Sequence, residues 1–238
     1  MLTAQANELV SKPSSTKEPQ YNVLLEVKAK HGVTRLGLMT NQGWHDDPKR
    51  LAFTLARYKF VAKMLAGREN VLEIGCADAF GTRIVQQAVG KVTATDFDPI
   101  FIDDVNARMN PRWPLETMVH DMLSGPVERG FDAAYALDVL EHIDAAREDD
   151  FLRNVVKSLA PTGVAIFGMP SLESQAFASP QSKAGHVNCK SGEALKRTLE
   201  RHFHSVFVFS MNDEVVHTGF YPMANYLLGV ACHSKVPT

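Results

Sequence analysis

Hydrophobic positions alternate between two kinds of stretch along most of this chain. RLAFTLARYKFVAKML repeats Leu51, Leu55, Tyr58, Val61 and Leu65 at helical spacing, so a helix is predicted there, starting at Asp47 or Pro48. After Gly67 the short apolar run NVLEIG reads as a strand; it leads through the small-residue turn CADAFG into TRIVQQAV, which resumes a helical pattern. The alternation then recurs without repeating the sequence. KVTATD, ETMVHD, FDAAYALD and TGVAIFGMP read as strands, with PIFIDDVNARM and the amphipathic DDFLRNVVKSLA as helices. Farther on come SGEALKRTLERHF as a helix with Ser191 as its cap, and HSVFVFSM and ANYLLGVAC as an antiparallel edge pair. Strands separated by helices require parallel pairing with right-handed crossovers and helices on both faces. The expected fold is therefore α/β, a Rossmann-like, doubly wound, seven-stranded and mostly parallel sheet with an antiparallel edge strand.

Three segments fall outside this rhythm. Residues 1–20, with Pro13, Pro19 and the polar run SKPSSTKEPQ, are expected to form a flexible amino-terminal arm. Residues 21–49 read as a separate segment able to act as a substrate lid, its HGVTRLGLMTNQGWHDDPKR stretch rich in turn formers. Residues 50–238 form the main domain. SLESQAFASPQSKAGHVNCK reads as loop.

Composition narrows the function. At 238 residues, one domain with a sizeable core is expected. Lys+Arg 25 against Asp+Glu 27 gives a formal charge of -2, and no basic cluster carries interleaved aromatics, so neither nucleic acid nor a membrane surface is an expected partner. No bilayer-length apolar run and no export signal is visible, which points to a cytoplasmic location. Cys76, Cys189 and Cys232 form no CxxC pair and read as reduced thiols. There is no nucleophile elbow and no phosphate loop ending in Gly-Lys-Ser/Thr.

The densest signal runs from Val71 to Thr82. Gly75, Ala77, Ala79 and Gly81 let a strand-to-helix turn pass close to a ligand, and the helix beyond presents free amides. Asp96 ends the next strand 21 positions after Gly75, where an acid can accept both ribose hydroxyls of an adenosine. That spacing also fits NAD, but Ala77 and Phe80 stand where a dinucleotide fingerprint needs its second and third glycines.

VLEIGCADAFG, VTATDFD, VHDM and FDAAYALDVLEHI together resemble the successive signature segments of class I S-adenosylmethionine-dependent methyltransferases, over about residues 50–235. The resemblance implies S-adenosylmethionine as cofactor and S-adenosylhomocysteine as product. It implies Glu73, Gly75, Cys76 and Ala77 around the methionine portion, Asp96 on the ribose, Phe97 against adenine, Asp121 and Met122 at the adenine edge, and Asp138 beside the methyl group. Ala77 and Ala79 depart from the glycines usual in the family; they keep the backbone contacts provided neither needs φ > 0.

The acceptor side is expected beyond the fourth strand, where Asp138, Glu141 and His142 emerge, with His186 as leading general base and His142 and Asp138 as further catalytic candidates. Asn41, Gln42, Trp44, His45, Asp213, His217 and Tyr221, with His142 and His186, supply polar and aromatic groups suited to a sugar-like acceptor, hence to carbohydrate biosynthesis. Neither His45-Asp46-Asp47 nor Asp213-Glu214-His217 matches a metal phrase, so no metal is expected. The leading reading is methyl transfer to a hydroxyl of a small polar molecule, with a homodimer as a candidate assembly. A small-molecule N-methyltransferase, an NAD-linked oxidoreductase and a non-catalytic cofactor-binding scaffold stay open as alternatives.

Overall fold

The computed structural model describes residues 15–127 and 130–235. The chain divides into two compact units at Arg35/Leu36. In the first, a 3-10 turn at Pro19–Tyr21 leads into helix α1 (Asn22–His31), which ends at Gly32 in the left-handed region (φ 73°). Most of the expected amino-terminal arm, residues 1–14, lies outside the described residues.

The second unit opens with α2 (Leu38–Asp46) and α3 (Lys49–Met64). Then follow β1 (Asn70–Ile74), α4 (Thr82–Val85), β2 (Lys91–Asp96), α5 (Pro99–Arg108), β3 (Glu116–Val119) and β4 (Phe131–Leu137). The chain continues through α6 (Glu148–Ser158), β5 (Leu159–Pro170), α7 (Pro180–Gly185), α8 (Gly192–Glu200), β6 (Phe203–Asn212), β7 (Val215–His217) and β8 (Tyr226–Ser234). The strands form one sheet in the order β3-β2-β1-β4-β5-β8-β6-β7. The five strands from β3 to β5 pair in parallel, and β8 runs antiparallel to both β5 and β6.

Both faces of the sheet are buried, which explains the near-continuous apolar strands. Along β4, Ala134 and Ala136 pack on the side of Phe151, Leu152 and Val155 from α6, with Leu195 and Leu199 from α8. Ala133, Tyr135 and Leu137 face Phe60 and Val61 from α3 and Leu65 just beyond it. Strand order reverses between β1 and β4, and ligands of open α/β sheets bind at such a crevice, outside the carboxyl ends of the strands.

The structure corrects the sequence reading in four places. The sheet has eight strands, because the connector after β6 folds back through Asp213 (φ 49°) and pairs Asn212 with Val215. β8 therefore lies inside the sheet, and β3 and β7 are its edges. The turn-rich stretch before α3 contains α2, and the unit boundary falls at 35/36 rather than 49/50, since α2 is hydrogen-bonded to the main body. The stretch read as loop before Ser191 contains α7, capped by Ser179, whose side chain accepts from the Ser182 amide.

Candidate active site

The turn after β1 is built around backbone that bends the left-handed way. Gly75 has φ 71°, and its amide and that of Cys76 both donate to Thr95 O on β2, at 2.8 and 2.9 Å. A Cβ on Gly75 would lie 2.4 Å from Val139 Cγ2, so the turn rests directly on the chain leaving β4. Ala77 and Ala79 also have positive φ, 45° and 50°, so the condition under which alanine replaces glycine freely does not hold. The left-handed conformation costs a residue with a Cβ about 1–2 kcal/mol, while glycine carries about 0.5–1 kcal/mol of extra unfolded-state entropy. Ala77→Gly and Ala79→Gly are each expected to raise stability by about 0.5 kcal/mol, read as a higher urea midpoint.

Asp96 is 5% exposed and spans the cofactor end of the sheet: Oδ2 accepts from the Ala77 amide at 2.8 Å and Oδ1 from the Asp98 amide at 3.0 Å. Phe97 beside it is 72% exposed, an aromatic face open to a base rather than packed in the core. Glu73 lies buried below the turn and accepts from the Thr82 hydroxyl at 2.6 Å. Burial pushes its carboxyl up to about 7, with the Thr82 bond opposing the rise. Cys76 and Met122 point their side chains into the core; burial pushes the Cys76 thiol up, making it inert. Only the backbone of these two is left to meet a ligand. Asp121 is exposed and accepts from the Leu123 amide at 2.8 Å. An open aromatic, an acid at the end of β2 and a left-handed glycine at the end of β1 suit an adenosine with an amino-acid tail.

The turn carries a second fastening. Asp78, 5% exposed, accepts from the Thr40 amide at 2.6 Å, the Thr40 hydroxyl at 3.1 Å and its own Phe80 amide at 3.2 Å. It caps α2, which has no side-chain cap of its own. Asn41, Gln42, Trp44 and His45 ride on that helix, all exposed.

At the end of β4, Asp138 (φ 57°) accepts two bonds from Arg57 Nη1, at 3.0 and 2.8 Å. The Arg57 guanidinium lies 3.8 Å above the Tyr226 ring. Neither Arg57 nor Tyr226 stood out as a site residue in sequence, since Arg57 sits beside the apolar repeat of its helix and Tyr226 opens an apolar strand. A 3-10 turn at Leu140–His142 then buries Glu141 completely, with no partner for either carboxylate oxygen among the described residues. Burial, and then the charge of Asp138, push its carboxyl well up. The Glu141 carbonyl accepts from the Val187 and Asn188 amides at 2.9 and 3.0 Å, bringing His186 alongside His142 with ring centroids 5.1 Å apart. His142 Nδ1 bonds to Gly185 O and His186 Nδ1 to Gln175 Oε1, each at 2.9 Å. Partial burial and the neighbouring His142 lower the His186 pKa. The loop is anchored beyond His186 by buried Glu148, which bonds Asn188 at 2.8 Å and pairs with Lys190 and Arg201 at 2.7 Å each.

His142 and His186 thus meet beside Asp138, as the sequence reading expects. The residues expected from the β6–β8 connector do not join them. His217 spends both ring nitrogens within its own hairpin, on Ser210 Oγ at 2.8 Å and Asn212 Nδ2 at 3.2 Å. It lines a mainly apolar hollow of about 690 Å³ with Leu55, Phe60 and Val216. Tyr221 donates to Val208 O at 3.1 Å and packs against Gly192, holding the start of α8. Asp213 is the exposed hairpin residue. All three are engaged around the β6–β7 end of the sheet and do not join the His142–His186 pair. Neither acid-histidine group weighed as a metal phrase converges among the described residues; the trio that does is Glu141, His142 and His186.

Residues 71–163 match a family described as a methyltransferase domain. The chain is 27% identical over 153 residues to Nodulation protein S of Sinorhizobium fredii (strain NBRC 101917 / NGR234), covering 58% of this chain and 71% of that protein. It is 31% identical over 130 residues to Nodulation protein S of Rhizobium tropici, covering 52% of this chain and 55% of that one. Among solved structures, the N-methyltransferase NodS from Bradyrhizobium japonicum WM9, in complex with S-adenosyl-L-homocysteine, superposes with a TM-score of 0.57 at 22% identity over 80% of this chain and 90% of that one, a likeness of fold. No described helix is long and apolar enough to cross a membrane. The β1 turn, Asp96 and the open Phe97 all lie in the matched segment, so the chain carries a class I S-adenosylmethionine-dependent methyltransferase domain.

Proposed function

We propose that this chain methylates a hydroxyl of a small, polar, sugar-like acceptor. The observation that carries this reading is the pairing of His142 and His186 beside Asp138, one residue away from the Val139 side chain that packs on the cofactor turn. A hydroxyl is a weak nucleophile until it sheds its proton, and an imidazole whose Nδ1 bonds an oxygen, as in both histidines, can offer Nε2 to receive it. The bound cofactor supplies an electrophilic methyl group, whose bond to sulfur breaks as the bond to the acceptor oxygen forms. Arg57 fixes Asp138 in place, and the Glu148 anchor holds the loop of His186 against the 3-10 turn, so the base is positioned before the acceptor arrives. Asn41, Gln42, Trp44 and His45 on α2 are further contacts for the acceptor.

N-methylation is the second reading, supported by the likeness to NodS, an N-methyltransferase. Cofactor carrying a ¹³C-methyl group, incubated with hydroxylated and amino-bearing sugars, separates the two: the product's methyl carbon correlates to a carbon-bound oxygen position or to a nitrogen. Cofactor binding with neither product would reject both readings in favour of a non-catalytic protein. Asp96→Asn keeps one oxygen for the turn but turns an acceptor of ribose hydroxyls into a donor. It is expected to weaken cofactor binding about tenfold or more by calorimetry, with a smaller effect on saturated turnover.

A further inference from the structure

We propose that Glu141, His142 and His186 form a binding site for one divalent first-row transition ion of the zinc or manganese kind. One ligand atom from each residue lies within 4.8 Å of the other two. Ligands about 2.1 Å from a tetrahedral ion sit roughly 3.4 Å apart, so a small contraction of side chains closes the site.

Three features distinguish this trio from a chance surface cluster. Glu141 is fully buried, yet neither carboxylate oxygen has a partner among the described residues, although a buried carboxyl group normally satisfies both. The two histidines each bond an oxygen through Nδ1, Gly185 O and Gln175 Oε1; an oxygen there accepts, so Nδ1 carries the hydrogen and Nε2 keeps its lone pair. Metal-ligating histidines are oriented by such a bond on the far nitrogen. The backbone also presets the geometry, because the Glu141 carbonyl holds the Val187 and Asn188 amides immediately after His186. His142 is exposed, which leaves an open side for a fourth ligand.

Two imidazoles and one carboxylate form a donor set for zinc with a water position, or for manganese or iron with several open positions, and suit magnesium or calcium poorly. An ion there would occupy both Nε2 lone pairs, so in the loaded protein it would take over from the histidines the task of making the acceptor's hydroxyl easier to deprotonate, by binding its oxygen and lowering its pKa; that role rests on the acceptor reading above, whereas ion binding itself does not.

The test is titration of chelator-stripped protein with Co²⁺, without cofactor or acceptor, followed by visible absorption, with Zn²⁺ added to compete. One equivalent of Co²⁺ is expected to give ligand-field bands that Zn²⁺ abolishes. Glu141→Gln, His142→Ala and His186→Ala are each expected to weaken binding at least tenfold, while His204→Ala, an exposed residue of β6, leaves it unchanged. Thermal midpoints of the stripped proteins verify folding, and metal should raise the midpoint of the parent but not of the three variants. Absence of Co²⁺ and Zn²⁺ binding up to millimolar concentration, or binding equally strong in all three folded variants, would overturn the proposal. Ion binding without hydroxyl methylation would leave the metal site standing and remove the acceptor reading instead.

Discussion

Gly75→Ala is expected to destabilise the protein by about 3 kcal/mol or more and to weaken cofactor binding by at least tenfold. Two separate costs add. The residue must hold φ 71°, which disfavours any Cβ by about 1–2 kcal/mol. The new methyl group must also occupy space 2.4 Å from Val139 Cγ2, and overpacking of this kind typically costs about 1–3 kcal/mol. The two can be separated with Val139→Ala. In the Gly75→Ala/Val139→Ala double variant the contact with Cγ2 is gone, so the packing share is recovered while the backbone share remains. Denaturant midpoints for the four proteins form a double-mutant cycle with a favourable coupling of about 1 kcal/mol or more. Strict additivity would mean that the turn does not rest on the chain leaving β4.

Glu73 is expected to make the protein less stable as pH rises. Its carboxyl titrates at about 7 in the folded chain against an ordinary value near 4.5, because burial disfavours the charged form. Between those values the folded state holds the proton and the unfolded state has released it. Stability from this group is therefore full below pH 4.5, falls from pH 4.5 to 7 and is level above, a total of about 3 kcal/mol. Glu73→Gln keeps an oxygen for the Thr82 hydroxyl and removes the titration. Urea unfolding of both proteins at half-unit intervals should show the variant gaining on the parent across that window, by about 3 kcal/mol at pH 8. Other acids titrate alike in both, so the difference isolates Glu73; parallel curves would refute the assignment.

The cofactor half of the site was legible in sequence because its requirements are local. A left-handed turn after a buried strand needs glycine, an acid must end the neighbouring strand, and an aromatic must follow it; each leaves its mark at a fixed offset. The structure gives Asp96 and Phe97 those positions. It also shows that Ala77 and Ala79 occupy left-handed backbone despite their Cβ atoms, which residue identity alone could not reveal.

The acceptor half is less legible in sequence, because its contacts are made across the fold. His217 and Tyr221 have the chemistry of recognition residues, and only their hydrogen bonds to Ser210, Asn212 and Val208 show that they hold the β6–β7 end together. Arg57 was hidden on a helix whose apolar repeat accounted for its neighbours. Helix α2 escaped notice because Gly43 weakens it and its cap comes from Asp78, 38 positions away from Thr40. The eighth strand escaped because Asp213-Glu214 is not a strong hairpin turn signal.

Asp78 closes the cofactor turn through the Phe80 amide and caps α2 through Thr40 with the same carboxylate. Fraying of the helix and loosening of the turn are therefore expected to be one opening event, which matched hydrogen-exchange rates for the amides of Thr40 and Phe80 would show. A ligand that orders the turn slows both together, so arrival of the methyl donor is felt at Asn41, Gln42, Trp44 and His45 without touching them. Such a coupling would make the order of α2 depend on occupancy of the turn.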